Sequence, residues 1–413
     1  MRAFAKTFLA VVGALVAQSN NASAFEDSYC SCSSCEQDAS LTDSFGLNAR
    51  SAGGLKFTGW IDGGFIGNAS SPTSKFNGPY NAVDRSNEGM MNQLYLIAEK
   101  ELPSCSHGIG GRIDYLYGTD FFLAESIGIE KRNDGSAHWN KEYYGSAFPQ
   151  AYLSLGSQEL NLQLGHFYSI VGYEGVMAPD NFFYSKSYSY QFAGPFTHWG
   201  GQLNYVPSEA LSFQIGLHNG WDAFDRTSDK MGWIGKVKYD SQGSGWTSFA
   251  ITTGDEFNDP GGVAARPAVT QRSRFSWLIG LPISCKLDYV FHYWRGRQDL
   301  GAPDRSHADW YGIDQYLTYD LNSTTDLGVR FEWFRDVDGT RVGLNRDRNL
   351  NNPPFAGDIY SLSLGANWAP RDYLIFRPEL RADWYDGVSN PRPFDDGEQS
   401  NQFMLGFDVI LKM

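Results

Sequence analysis

The sequence has 413 residues, of which 42% are hydrophobic and 15% aromatic, and its formal net charge is −14. A chain this negative is a poor partner for nucleic acid or for an anionic lipid surface. Beyond the first residues no apolar run approaches the roughly 18 residues of a spanning helix, which excludes a helical membrane protein.

The N-terminus has the order of a Sec-type signal peptide. Arg2 and Lys6 precede an apolar run over 7–17, and small residues at 22–24 offer a cleavage site. A short buried helix, the alternative, would need neither the basic flank nor the cleavage triplet. We therefore expect residues 1–24 to be removed and the chain to be exported.

The polar segment 25–53 carries three of the five cysteines. A metal site can be drawn from this spacing, but export makes disulfide pairing the favoured use. An odd total leaves one thiol unpaired or paired between chains, and no cysteine directly follows the cleavage triplet, so we predict no lipid anchor. The cysteines are Cys30, Cys32, Cys35, Cys105 and Cys285.

From residue 54 onward, sixteen segments of roughly ten residues alternate in polarity, and short turns alternate with long loops between them. Residues 54–413 are therefore predicted to form one all-β domain, a transmembrane antiparallel up-and-down β-barrel of about 16 strands, wide enough for an aqueous channel. We expect both termini and seven short turns on the periplasmic side, and eight long loops outside. The predicted strands are 55–66, 90–101, 109–118, 147–156, 159–168, 196–206, 210–218, 232–240, 245–254, 272–282, 284–294, 309–320, 324–335, 357–368, 372–385 and 401–412.

The two-residue period assigns the faces of each strand. In 324–335, Leu327 and Phe331 alternate with Arg330 and Glu332. A charge facing hydrocarbon would cost about 2 to 4 kcal/mol, so the charged face is predicted to point into a wet interior. The strands 90–101 and 147–156 alternate less cleanly. Other inward residues predicted in this way are Arg377, Glu379, Arg381, Asp383 and Asp408.

Tryptophans cluster near the predicted strand ends, which is typical of the interfacial girdles of membrane barrels. In a soluble sandwich, the alternative, aromatic residues would lie in strand middles against a second sheet. The residues are Trp221, Trp233, Trp246, Trp294, Trp310, Trp333, Trp368 and Trp384.

One segment resembles a known family. Leu-Gly-His-Phe at 164–167 is followed by Gly-Tyr-Glu at 172–174, Tyr-Ser-Lys-Ser-Tyr at 184–188 and Gly-Pro-Phe-Thr-His at 194–198. These motifs resemble the outer-membrane β-barrel porin type 2 family of OmpL-like porins. The resemblance implies passive diffusion of small hydrophilic solutes. The motif residues include Gly172, Glu174, Pro179, Asn181, Tyr184, Ser185, Ser187, Tyr188 and Pro195.

Two features depart from that family. Barrels of this kind usually end in an aromatic residue, whereas this chain ends in Met413. The N-terminal cysteine cluster is not explained by the resemblance either.

The third long loop of general porins narrows the channel, and here it is the segment 169–195. We hypothesise that Glu174 and Asp180 form a constriction facing the wall cations Arg112, Arg330, Arg377 and Arg381. Alternatively, Glu174 pins the loop fold, and the arginines pair locally with Glu332, Glu379 and Asp383. The loop's aromatic residues are similarly open to two interpretations, a stacking track for sugars or anchors that hold the loop to the wall.

The sequence offers no signature of a catalytic nucleophile, a cofactor or a metal site. His166, His198 and Glu174 lack metal-ligand spacing, and Asp336 and Asp338 lack the twelfth-position Glu of a helix-loop-helix calcium site.

The sequence therefore predicts a non-enzymatic outer-membrane porin for small hydrophilic solutes or ions. Its expected neighbours are outer-membrane lipid and, because porins of this size often trimerise, two further copies. The alternatives are a non-conducting outer-membrane barrel acting as an adhesin or enzyme, and a secreted β-rich carbohydrate-binding protein.

Overall fold

The computed structural model describes residues 54–413 apart from 80–81, 105, 133–135, 142, 227, 258–268, 300–306 and 343–354. The predicted signal peptide and the segment 25–53 lie outside the described residues, and so do all the cysteines except Cys285, which is exposed in a short turn.

Seventeen antiparallel strands make up one sheet. Among the described residues a short α-helix, α1, spans Tyr188–Phe192, and 3-10 turns occupy Thr119–Leu123, Ala178–Asp180 and Asp395–Gly397. None of the described helices is long and apolar enough to cross a membrane. The strands are β1 Leu55–Asn68, β2 Glu88–Lys100, β3 Gly108–Gly118, β4 Gly145–Ala147, β5 Ala151–Gly156, β6 Leu160–Tyr168, β7 Thr197–Ser208, β8 Leu211–His218, β9 Gly232–Asp240, β10 Trp246–Phe257, β11 Val269–Ser284, β12 Leu287–Asp299, β13 His307–Asn322, β14 Thr325–Asp336, β15 Gly357–Arg371, β16 Leu374–Gly387 and β17 Asn401–Lys412.

The sheet is a closed barrel. Strand β1 pairs with both β2 and β17, and every other neighbour follows in chain order. Strands β4 and β5 both pair with β3 and together occupy one position, so the ring has sixteen. Closure leaves no open sheet edge. The predicted sixteen-stranded antiparallel barrel is confirmed.

All sixteen predicted strands are present, and seven short connections alternate with eight long ones. The strand predicted to end at 282 continues to Ser284, and the next, predicted to begin at 284, begins at Leu287, so the turn between them lies at 285–286. The two strands that alternate poorly in sequence have structural irregularities. The pairing of β1 with β2 skips Asn92, and β4 is separated from β5 by residues 148–150.

The two faces of the strands follow the predicted alternation. In β17, Phe403, Leu405 and Phe407 are exposed on the outer surface, whereas Met404 and Asp408 are buried inside. Strand β14 repeats the pattern with Arg330, Glu332 and Asp336 inside, whereas Arg335 lies on the outer face near the strand end and pairs with Asp358. An apolar outer surface and a polar inner surface therefore run round the barrel.

The predicted tryptophan girdles are half wrong. Trp233, Trp333, Trp368 and Trp384 lie on the outer face, as predicted. The other four have inward positions. Trp294 and Trp310 share the buried face of β12 and β13, Trp246 covers Gly280 on the inner wall, and Trp221 packs in the buried core. Nearness to a strand end did not indicate which face the ring occupies.

Neighbouring residues of β8 provide a test of the two faces. Ile215 is 61% exposed on the outer surface, whereas Gln214 faces the lumen. We expect Ile215→Arg to lower the free energy of unfolding by about 2 to 4 kcal/mol, because it places a charge in hydrocarbon. Gln214→Arg, at the same depth, is the control and should cost less than about 1 kcal/mol. Urea unfolding in lipid vesicles measures both, and equal losses would contradict the assigned faces.

Candidate functional site

The third long loop, residues 169–195, lies inside the barrel. Its backbone and hydroxyl groups contact inward-facing side chains of β2, β13 and β14. The Gln93 amide donates to the Val176 carbonyl (2.7 Å) and accepts from the Ala178 N–H (3.1 Å). The Ser189 hydroxyl donates to Asp314 (2.7 Å), and Glu332 accepts from the Tyr188 N–H (2.8 Å). These contacts fix the loop against the wall.

Other hydrogen bonds are formed within the loop and define its local conformation. The Asn181 side chain bridges the turn by accepting from the Gly175 N–H and donating to the Gly175 carbonyl, both at 3.0 Å. The Ser187 hydroxyl caps α1 by accepting from the Tyr190 N–H (3.1 Å). Gly172 has a φ of +128°, in the region that favours glycine, and Pro179 lies in the 3-10 turn.

Glu174 and Arg330 form a buried ion pair between the loop and β14. The Glu174 Oε1 atom accepts from Arg330 Nη1 at 2.8 Å and from the Tyr316 hydroxyl at 3.0 Å. Its Oε2 accepts from the Ser187 N–H at 2.8 Å. Burial alone would raise the pKa of the Glu174 carboxyl, but the charges of Arg330 and Lys186 outweigh that effect and lower it. Glu174 thus stabilises the fold of the loop and also binds the loop to the barrel wall.

Further charged wall residues bind the loop around Ser185. Glu379 accepts from the Ser185 N–H (2.8 Å) and hydroxyl (2.6 Å). Arg381 donates to the Ser185 hydroxyl (2.9 Å) and pairs with Asp383 on its own strand (2.9 Å). Arg377 donates to the Ala178 carbonyl (2.8 Å). Burial lowers the pKa of the neighbouring Lys186 ammonium to about 8.

The structure therefore brings most of the predicted site residues together, but under the loop. The side chains of Arg330, Glu379 and Asp383 are at most 4% exposed. Arg112 pairs with Asp114 (2.7 Å), while Asp180 is exposed. The lining role of these residues stays a prediction. Sequence reasoning missed Gln93, which lies beside the irregularity at Asn92 in a strand of unclear alternation, and it also missed Asp314.

The aromatic residues of the loop are mostly buried against the barrel wall. Phe183 packs with Leu278 and lies under the Arg330 guanidinium, and the Tyr184 hydroxyl donates to Asn92 (3.1 Å). Tyr188 is fully buried beside Arg381. These contacts favour anchors over a stacking track. Gly172 and Pro195 line a cavity of about 110 Å³ beside the loop.

A different part of the inner wall carries five carboxamides, of which four are half-buried and Gln202 is buried. Asn204 on β7 is the centre of this group. It accepts from Gln202 (2.7 Å) and Gln214 (2.9 Å), and it donates to Asn161 (3.0 Å) and Gln163 (3.4 Å). We call these five residues the amide wall. Counted round the ring, β7 lies seven positions from β14 in one direction and seven from β16 in the other. The amide wall therefore faces the half of the barrel that binds the loop.

Among the described residues, no group of three or more His, Cys, Asp and Glu side chains is placed to hold a metal ion.

Comparisons with known proteins identify porin-like relatives. The family model "Putative beta-barrel porin-2, OmpL-like" matches residues 54–413. No curated protein sequence matches the chain.

Solved structures resemble the fold at low sequence identity. The anion-selective porin from Comamonas acidovorans is 11% identical with a TM-score of 0.59, covering 87% of this chain and 99% of that one. The outer membrane channel DcaP of Acinetobacter baumannii is 12% identical with a TM-score of 0.57, covering 88% and 98%. The trimer form of OmpT from Vibrio cholerae is 9% identical with a TM-score of 0.55, covering 87% and 99%. These similarities show the barrel architecture.

Breaking the Glu174–Arg330 pair should release the loop. We expect Glu174→Gln to remove the nearer carboxylate from buried Arg330, which keeps only Glu379 at 3.5 Å, at a cost of about 3 kcal/mol. The change should expose the peptide bond after Lys186 to trypsin. Asp180→Asn, which changes an exposed carboxylate of the same loop, should stay protected. Mass spectrometry of timed digests in detergent measures cleavage. Equal protection of the wild type, Glu174→Gln and Asp180→Asn would show that the ion pair does not hold the loop in place.

Proposed function

Because the chain belongs to the β-barrel porin-2, OmpL-like family, we propose that it is an outer-membrane porin through which small hydrophilic solutes diffuse passively. The observation that carries the proposal is a closed sixteen-position barrel whose outer face is apolar and whose inner face is polar. Such a barrel can lie in lipid while holding a water-filled space. The family consists of channels rather than enzymes, so no catalytic residue is assigned.

The loop 169–195 narrows the channel in this proposal. Its contacts with β13, β14 and β16 leave the amide wall as the accessible side of the lumen. Asp180 is the exposed acidic residue of the loop, and Glu174 acts by holding the loop in place. In this proposal the charged residues beneath the loop fix its position, and the accessible amide wall determines which solutes pass through the channel.

The surroundings of the protein follow from the same proposal. Residues 1–24 would direct export and be cleaved, the segment 25–53 would precede the barrel, and residues 54–413 would insert in the outer membrane. The short turns would then face the periplasm and the long loops the exterior. OmpT of Vibrio cholerae is described in a trimer form, which makes a trimer the state to test first.

A second candidate function is a plugged, non-conducting outer-membrane barrel. The observation that favours it is the burial of Arg330, Glu332 and Arg381 beneath the loop, since each is at most 1% exposed. Conductance separates the two candidates directly.

Planar bilayers provide the test. We expect the purified protein, with its mobility shifted between boiled and unboiled gel samples, to give stepwise currents in potassium chloride. Glu174→Gln should raise the conductance of single steps, because a released loop occupies less of the lumen. Glu209→Gln, which changes an exposed carboxylate in a short turn, is the control and should conduct as the wild type does. A folded barrel that gives no current would favour the plugged alternative.

A further inference from the structure

One row of the inner wall joins three carboxamides to a lysine. Asn161, Asn204, Gln214 and Lys236 are successive cross-strand partners on β6, β7, β8 and β9. With about 4.8 Å between neighbouring strands, the row is about 14 Å long. All four side chains are half-buried, so they remain accessible from the lumen.

The carboxamides can hydrogen-bond to a solute without a net charge. Each carries an acceptor oxygen with two lone pairs and two donor hydrogens. The four bonds of Asn204 use its own groups fully and orient its neighbours, whereas the bonds of Asn161 and Gln214 use only part of theirs. Asn161 and Gln163 also line a cavity of about 250 Å³ beside the row, together with Glu99, Glu101 and Tyr152. Hydroxyl groups match such a surface because they both donate and accept.

Lys236 supplies the charge at the end of the row. In the described part of the chain it makes no ion pair, whereas the neighbouring Lys238 pairs with Asp240 at 3.2 Å. Glu99 and Arg112, which face the same side of the lumen, approach each other to 3.7 Å. The net charge of the whole chain is negative, but selectivity in a pore is set by the charges that line it.

Resting on the porin function proposed above, we infer that the row formed by Asn161, Asn204, Gln214 and Lys236 is a binding subsite for small hydroxylated organic anions, such as sugar acids. The anionic group binds the Lys236 ammonium, and the hydroxyl groups bind the carboxamides. A simple inorganic anion uses only the lysine, and a neutral sugar uses only the amides. The subsite therefore distinguishes solutes that carry both groups from those that carry one.

Current blockade in planar bilayers tests this subsite with the full chain. Gluconate carries a carboxylate and hydroxyls, glucose lacks the carboxylate, and hexanoate lacks the hydroxyls. We expect gluconate to reduce potassium chloride current at concentrations about tenfold below those needed for glucose or hexanoate. A charge-assisted contact of roughly 1.5 to 3 kcal/mol corresponds to a factor of about ten or more.

Two variants separate the contributions of lysine and amide. Lys236→Met should weaken gluconate blockade about tenfold and leave glucose unchanged, whereas Lys286→Met, in an exposed turn, should change neither. Asn204→Leu should weaken blockade by gluconate and glucose but leave hexanoate unchanged. If Asn204→Leu lacks the gel mobility of a folded barrel, Gln214→Leu is used as the amide variant in its place.

The outcomes distinguish this inference from the porin function. Wild-type current that gluconate, glucose and hexanoate block equally would overturn the subsite and leave the porin intact. Gluconate blockade that survives both Lys236→Met and the amide variant would also overturn it. The absence of any wild-type current would overturn the porin function, and the subsite with it.

Discussion

Closure of the sheet is the constraint on which the rest of the structure depends. In hydrocarbon every backbone N–H and C=O must find a partner within the protein, and the pairing of β1 with β17 removes the last open edge. Near this seam the Met413 N–H also donates to the Gly59 carbonyl at 2.8 Å, so the closing contacts are made by backbone atoms.

Strand positions could be predicted because they depend on local sequence. Alternation with a period of two is visible within one segment, as in β14 and β17, and short turns interrupt it at regular intervals. Where the alternation was unclear, the structure has an irregularity, such as the bulge at Asn92. The exposed and buried faces then follow from charge, because burying Arg330 or Asp408 in lipid would cost more than facing either toward the interior.

Contacts between distant segments could not be predicted in this way. Glu174 and Arg330 are 156 residues apart, and their pairing depends on where the loop lies inside the closed ring. Four tryptophans were placed wrongly for a related reason. A tryptophan ring near a strand end can lie at the membrane interface outside the barrel or pack against a loop inside it. Trp310 is of the second kind, because it donates to the Ala193 carbonyl of the loop. The two locations are distinguished only by whether the residue has an inward or an outward position in its strand, which is assigned together with the neighbouring strands.

Burial of charge beneath the loop changes which residues can govern transport. A buried ion pair that also makes several hydrogen bonds stabilises one geometry and costs desolvation, so it suits a positioning role better than contact with a passing solute. Half-buried amides exchange partners with water at little cost, and a solute can replace that water. Arginine and acidic residues are therefore the obvious candidates in the sequence, while Asn161, Gln163, Asn204 and Gln214 are the residues left half-buried on the inner wall. The physical division is between groups that hold the loop and groups that meet the solute.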